Sequence, residues 1–172
     1  MRVAVGSDHA GFDLKEILKG ELASLGHVVT DLGTRDAITS VDYPDYGAAV
    51  GRAVAGGEAD LGICVCGSGN GIAMAANKVR GVRAAVAHDV TTATLAGQHN
   101  HANVVCFGAR TTGTTVVVDA LHAFLDATQE PPERNSRHLR RIEKLAALDE
   151  ATRDGAGAER ELVHHTAPEG TT

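Results

Sequence analysis

Residues 63–78 read ICVCGSGNGIAMAANK: a short apolar run, then three glycines at alternate positions, then apolar residues at helical spacing. This order is typical of a buried strand, a tight turn and the start of a helix. Glycine adopts backbone angles closed to other residues, so we expect the amides around Gly67, Gly69 and Gly71 to point into one concavity. The stretch therefore predicts a site for a phosphate or a developing oxyanion at the positive end of the helix.

The three cysteines differ in their places along the predicted strands. Cys66 lies where a strand ends and the glycine turn begins, and a thiol beside converging amides ionises readily. We therefore expect Cys66 to be reactive, whereas Cys64 and Cys106 fall inside strands and are expected to serve packing. Cys64 and Cys66 share a strand face by alternation, but no second ligand pair accompanies them, so no metal site is predicted.

The whole chain alternates apolar strands with helical segments. Strands are predicted at residues 2–5, 27–31, 61–66, 82–87 and 103–107, and helices at 14–25, 48–54, 71–78, 92–98 and 114–127. Residues 33–45 are predicted to be a loop. The pattern predicts an α/β fold of three α/β/α layers, Rossmann-like, with a five-stranded parallel sheet and a further C-terminal helix near residues 139–148. We expect one domain over residues 1–151 and a disordered tail over 152–172.

Composition limits the classes of function. The formal net charge of −6 argues against nucleic acid as a partner. No apolar run approaches the ~18–20 residues that span a membrane, and the first residues turn polar too soon for a secretory signal. Three cysteines do not make a disulfide framework, so a cytoplasmic protein is expected.

Ligands of such sheets bind beyond the carboxyl ends of the strands, so polar residues there are candidates. Those ends carry Ser7-Asp8-His9, Cys66 to Gly71, His88-Asp89 and Gly108 to Arg110. Arg137 and Arg141 are four residues apart, so their guanidinium groups share one helix face. The pair could bind a phosphate dianion, or it could form an ordinary basic surface exposed to solvent.

The glycine turn has a second interpretation. Gly67, Gly69 and Gly71 resemble a dinucleotide-binding loop, and Asp89 follows the next strand, about where a ribose-binding acid would lie. The fingerprint requires a glycine where Ile72 stands, and the motif would follow the first strand rather than the third. Nucleotide binding therefore stays open as a weaker alternative.

Six motifs occur in order along the chain: Gly6-Ser7-Asp8-His9-Ala10-Gly11, Asp42-Tyr43-Pro44-Asp45, Cys66-Gly67-Ser68-Gly69-Asn70-Gly71, Ala75-Ala76-Asn77-Lys78, Gln98-His99-Asn100 and Arg137-His138-x-x-Arg141. Together they resemble the type B ribose-5-phosphate isomerases, in the family that also holds allose-6-phosphate and galactose-6-phosphate isomerases. The resemblance extends from residue 2 to about residue 148 and leaves the tail outside it.

The resemblance implies interconversion of ribose 5-phosphate and ribulose 5-phosphate, in the pentose phosphate pathway, through a cis-enediolate and without a cofactor. Cys66 matches the base that moves the proton between C1 and C2. Some relatives carry a Glu at the position of Ile72 instead, so this chain looks like the thiolate-base type. Ser68 matches a shuttle for hydroxyl protons, and Asp8 and His99 match the pair that opens the furanose ring.

The resemblance also implies the residues that bind substrate. These are His9, Tyr43, Gly67, Gly69, Asn70, Gly71, Asn100, Arg110, Arg137 and Arg141. The backbone of the glycine turn would stabilise the enediolate oxygen, and His9 with the three arginines would bind the phosphate. A homodimer or tetramer with active sites between subunits is implied. The sequence leaves open a hexose 6-phosphate as substrate, and a non-catalytic sensor of sugar phosphates or nucleotides.

Overall fold

The computed structural model describes residues 1–129 and 137–153, and it contains a five-stranded parallel sheet with six helices. The strands are β1 (Arg2–Ser7), β2 (Val28–Asp31), β3 (Leu61–Cys66), β4 (Ala84–Val86) and β5 (Val104–Gly108). The helices are α1 (Phe12–Ser24), α2 (Tyr43–Ala55), α3 (Asn70–Ala76), α4 (Val90–Asn100), α5 (Thr114–Thr128) and α6 (Arg137–Arg153). The predicted α/β fold is confirmed. The expected tail lies outside the described residues, apart from the end of α6.

The sheet has the order β2-β1-β3-β5-β4 and separates two apolar clusters. Val3 and Val5 face α1, α4 and α5, whereas Ala4 faces α2 and α3. The same alternation sends Cys64 and Cys66 to the α2–α3 side, as predicted. The chain leaves β1 for a helix on one face and β3 for a helix on the other, so a crevice opens between these two neighbouring strands.

Two helix boundaries differ from the prediction and affect the site. The prediction of a loop through residue 45 is wrong, because α2 begins at Tyr43 with Asp42 as its N-cap residue. Pro44 lies in the first turn, where its missing amide costs no intrahelical hydrogen bond. Helix α4 continues to Asn100, so His99 and Asn100 lie in its last turn.

Edge strand β4 is bound by a side chain on its outer side. The Asn77 amide nitrogen donates to the Ala84 carbonyl at 2.8 Å, and the Asn77 oxygen accepts from the Ala84 amide at 2.8 Å. The carboxamide thus imitates one residue of a neighbouring strand. Among the described helices, none has the length and apolar character needed to cross a bilayer.

A buried lysine connects α1 to the end of β2 and the loop that follows. The Lys15 side chain is 1% exposed, and its Nζ donates to the Asp31 carboxylate at 2.8 and 3.0 Å and to the Thr34 carbonyl at 2.9 Å. Lys19 donates to the same carboxylate at 2.6 Å. Burial opposes ionisation of Asp31, but the hydrogen bonds from Lys15 and Lys19 outweigh it, and the pKa of Asp31 is lowered.

Asp31→Asn should lower the free energy of unfolding by about 2 kcal/mol near neutral pH, because the buried Lys15 ammonium then keeps only the exposed Glu16 as a carboxylate partner, at 3.0 Å. The deficit should shrink as the pH falls through the lowered pKa of Asp31, since the wild-type carboxyl then becomes protonated and loses the same pairing. Denaturant unfolding at neutral pH and at about pH 3 measures both effects. Asp119→Asn, at an exposed position of α5, is the control, and an Asp31→Asn deficit unchanged by pH would contradict the ion-pair account.

Candidate active site

A cleft of about 420 Å³ opens at the carboxyl ends of β1, β3 and β5. Parallel strands direct their carboxyl ends to one edge of the sheet, and this edge collects the polar residues that follow them. The cleft is lined by Asp8, His9, Ala10, Tyr43, Cys66, Gly67, Ser68, Gly71, Arg110 and Thr111. Eight of these ten were expected as site residues; Ala10 and Thr111 were not. Ala10 lies inside the first motif and Thr111 directly after Arg110, and only these positions could have indicated them.

The sulfur of Cys66 lies at the floor of the cleft. Its residue is 4% exposed, yet it lines the open space together with Gly67 and Ser68. The Gly69 amide donates to Cys66 Sγ at 3.2 Å. Gly69 has a φ of +80°, in the left-handed region that favours glycine, and this turn directs its amide back to the sulfur. An amide donor of this kind suits a sulfur that carries negative charge.

Of the three glycines in the turn, Gly69 has a positive φ, and Gly67 and Gly71 do not. Gly71 is needed for space instead, because a Cβ there would lie 2.6 Å from the ring of Tyr43. Such a contact joins residues distant in the chain, so the local sequence does not reveal it. A Cβ at Gly67 would meet nothing closer than 3.6 Å.

Cys64 and Cys106 are paired across β3 and β5 and are fully buried. Burial, together with hydrogen bonding to Cys64, raises the pKa of the Cys106 thiol well above its ordinary value, so Cys106 stays protonated. Their interior positions agree with the packing role expected for both. Within the described ranges, no three His, Cys, Asp or Glu side chains form a group that could hold a metal ion.

Asp8 and His9 are fixed at the turn after β1. Asp8 is buried and its Oδ1 accepts from the Gly11 amide at 3.0 Å, which caps a short 3-10 turn over His9–Gly11. His9 Nδ1 accepts from the Val41 amide at 3.1 Å. A neutral His9 ring with this acceptor carries its proton on Nε2, so it can donate a hydrogen bond.

Arg110 and Ser68 complete the wall of the cleft on the other side. The Arg110 amide donates to the Gly67 carbonyl at 2.9 Å, which joins the turn after β5 to the glycine turn. Ser68 Oγ accepts a long hydrogen bond of 3.4 Å from the Asn70 amide. The cleft therefore combines a thiol, a carboxylate, an imidazole, a hydroxyl and a guanidinium group.

Six residues implied by the resemblance do not line this cleft. Gly69 and Asn70 belong to the glycine turn beside it, whereas His99, Asn100, Arg137 and Arg141 lie on α4 and α6. Helix α4 begins after β4 at the carboxyl edge and runs back toward the start of β5, so its last turn lies at the opposite edge of the sheet. The His99 ring stacks on His138 of α6, with ring centroids 4.1 Å apart and an interplanar angle of 12°. Asn100 lines a separate groove of about 510 Å³ between α6 and the region of β4.

Asp89, which suggested a ribose-binding acid, instead caps α4. Its carboxylate accepts from the Thr92 amide at 2.7 Å, and the Thr92 hydroxyl accepts from the Asp89 amide at 3.2 Å. The backbone hydrogen bond from Thr92 lowers the pKa of Asp89. This capping box gives the residue a structural reason to be acidic, which removes the main support for a nucleotide site.

Comparison with known proteins gives consistent matches. The family described as Ribose/Galactose Isomerase matches residues 3–145. Ribose-5-phosphate isomerase B of Escherichia coli K12 is 41% identical over 87% of this chain and 97% of that protein. Galactose-6-phosphate isomerase subunit LacB of Clostridium acetobutylicum is 40% identical over 87% and 86% of the two chains.

A solved structure shares the same fold. Ribose-5-phosphate isomerase B from Mycoplasma genitalium, with bound ribulose-5-phosphate, is 37% identical and superposes with a TM-score of 0.79. The alignment covers 87% of this chain and 96% of that one.

Proposed function

Because this chain belongs to the Ribose/Galactose Isomerase family, we propose that it interconverts D-ribose 5-phosphate and D-ribulose 5-phosphate. The observation that carries the proposal is the position of Cys66 Sγ. The sulfur accepts a hydrogen bond from the Gly69 amide, and Cys66 lines an open cleft. An aldose–ketose isomerase must remove a weakly acidic proton beside a carbonyl group. It must also stabilise the resulting oxyanion and bind the phosphate away from the reacting carbons.

The residues of the cleft, together with a His99 supplied by a second copy of the chain, can divide this chemistry between them. Asp8 and His99 open the furanose ring, and the Cys66 thiolate then takes the proton from C2 of the open-chain aldose. The cis-enediolate receives that proton at C1, while Ser68 helps to move the hydroxyl proton from O2 to O1. Backbone amides of residues 67–71 stabilise the charge on the enediolate oxygen. These proton transfers balance without any oxidant or reductant.

Binding of the phosphate positions the reacting carbons of the substrate. His9 and Arg110 line the cleft close to Cys66 and can donate to phosphate oxygens. Binding energy at the phosphate then aligns C1 and C2 with the sulfur, where small displacements have large effects on rate. Tyr43 of the cleft, and Asn100 of a second copy, would contact the sugar.

The complete site takes residues from two copies of the chain. Within one chain, His99, Asn100, Arg137 and Arg141 lie outside the Cys66 cleft, because α4 carries the first two toward the other edge of the sheet. In a symmetric dimer, the α4–α6 surface of one copy can close the cleft of its partner. We therefore propose a homodimer as the smallest active form.

Cys66→Ala should lower kcat for ribose 5-phosphate by at least about a thousandfold, because it removes the base that transfers the proton. Cys106→Ala is the matched control, since Cys106 is a sealed, protonated thiol of the same sheet, and it should retain most of the turnover. Steady-state kinetics of the two variants test the assignment, and equal activity in both would remove Cys66 from the mechanism.

The identity of the sugar needs a separate measurement, because one relative at 40% identity is a subunit of a galactose-6-phosphate isomerase. We expect kcat/KM for ribose 5-phosphate to exceed that for allose 6-phosphate and galactose 6-phosphate by at least about tenfold, since one extra carbon must fit the same cleft. The reverse order would indicate a hexose phosphate isomerase. Tight binding without deuterium uptake at C1 or C2 would indicate a sensor.

A mixture of Cys66→Ala and His99→Ala chains should recover activity that neither variant has alone. A mixed dimer with sites shared between subunits has one intact site, so random pairing should give about a quarter of the wild-type activity. Co-expression followed by an activity assay measures this. The control mixes Cys66→Ala with the double variant, which should recover nothing, and a similar failure of the test mixture would contradict the shared site.

A further inference from the structure

The proposed function assigns no role to His138, although its ring is in direct contact with a residue of the site. His138 and His99 stack with their centroids 4.1 Å apart and their planes within 12° of parallel. Both rings are half-buried. The contact joins α6 to the last turn of α4, which are otherwise separate parts of the chain.

The backbone that carries His99 is fixed by other contacts. His101 ends α4 in the left-handed conformation, with a φ of 49°. Arg83 Nε and Nη2 donate to the His101 carbonyl at 2.9 and 2.6 Å. These bonds hold the helix end, but they leave the two side-chain torsions of His99 to be set by whatever its ring packs against.

Helix α6 is attached at its far end as well. The Asp149 carboxylate accepts from the Gly81 amide at 2.8 Å, and Arg80 pairs with Glu150 at 3.2 Å. The stack at His138 and these contacts near the other end hold α6 at two places. The orientation of the His138 ring therefore depends on how α6 packs against the rest of the chain, as well as on the side-chain torsions of His138.

We propose that His138 is a positioning residue for ring opening: its imidazole holds the His99 ring in the orientation that the substrate requires. This inference rests on the proposed function, in which His99 acts on the furanose ring. An aromatic ring stacked on another resists tilting, because offset stacking is favourable only over a narrow range of geometries.

The adjacent residue couples this positioning to phosphate binding. Arg137 Nε donates to His138 Nε2 at 3.4 Å, so one turn of α6 carries both a phosphate ligand and the support for His99. A substrate that engages Arg137 thereby acts on the residue that orients His99.

The chemistry of the two substrates allows a sharp test. Ribose 5-phosphate is a closed furanose and needs ring opening, whereas ribulose 5-phosphate has its O5 phosphorylated and stays open-chain. Solvent deuterium exchange into C1 of ribulose 5-phosphate therefore uses the enediolate step but not the ring-opening step. A general structural defect would lower both the turnover of ribose 5-phosphate and the deuterium exchange into ribulose 5-phosphate. A defect in orienting His99 would lower only the turnover of ribose 5-phosphate.

His138→Ala should lower kcat for ribose 5-phosphate about tenfold, with deuterium exchange into ribulose 5-phosphate close to wild type. His138→Phe keeps a planar ring without the nitrogen acceptor and should restore turnover to within about threefold of wild type. Arg140→Ala, an exposed change on the same helix, should match wild type in both assays.

The outcomes separate the two proposals. Equal loss of both rates in His138→Ala, loss of neither, or a His138→Phe enzyme as slow as His138→Ala would overturn the positioning role. A wild-type enzyme that neither turns over ribose 5-phosphate nor exchanges deuterium would overturn the proposed function itself. Thermal unfolding of each variant identifies a loss of folding, and His138→Phe keeps the test decisive if the alanine variant is unstable.

Discussion

The direction of the strand–helix crossovers is the constraint on which the rest of this structure depends. All five strands are parallel, so every strand delivers its last residue to the same edge, and every connecting helix returns the chain to the other edge. Cys66 ends β3, Asp8 and Arg110 follow β1 and β5, and all three line one cleft. His99 ends a helix and cannot share that edge within the same chain. The proposed site, which uses both kinds of residue, would therefore draw them from two molecules, because the topology separates them within one chain.

Much of the fold could be predicted because local patterns determine it. Five apolar runs separated by helical spacing suffice for a parallel sheet with helices on both faces, and Cys66 was placed at a strand end by sequence alone. The start of α2 was missed because Asp42, Tyr43 and Pro44 suit a turn as well as a first helical turn. The reason for Gly71 was missed because Tyr43 reaches it from another element. The stack of His99 on His138 likewise depends on how α6 docks, which no local pattern encodes.

The three cysteines illustrate how position along a strand decides the chemistry of one residue type. Cys64 and Cys106 face each other in the middle of β3 and β5, where burial keeps the Cys106 thiol neutral. Cys66 lies on the same side of β3 but at its last residue, where the chain turns and an amide reaches the sulfur. Two residues along one strand thus separate Cys64, which packs in the interior, from Cys66, which lines an open cleft. The negative total charge of the chain gives no indication of this local arrangement.

The Asn77 carboxamide has a consequence for assembly. Its two hydrogen bonds occupy the outward-facing amide and carbonyl of Ala84 at the margin of the sheet. An exposed strand normally offers such groups to any extended peptide, and this invites runaway aggregation into fibrils. Here a side chain of the same molecule has already filled the place of the next strand at that residue. Addition of a further strand at this position of β4 would first have to displace the Asn77 side chain.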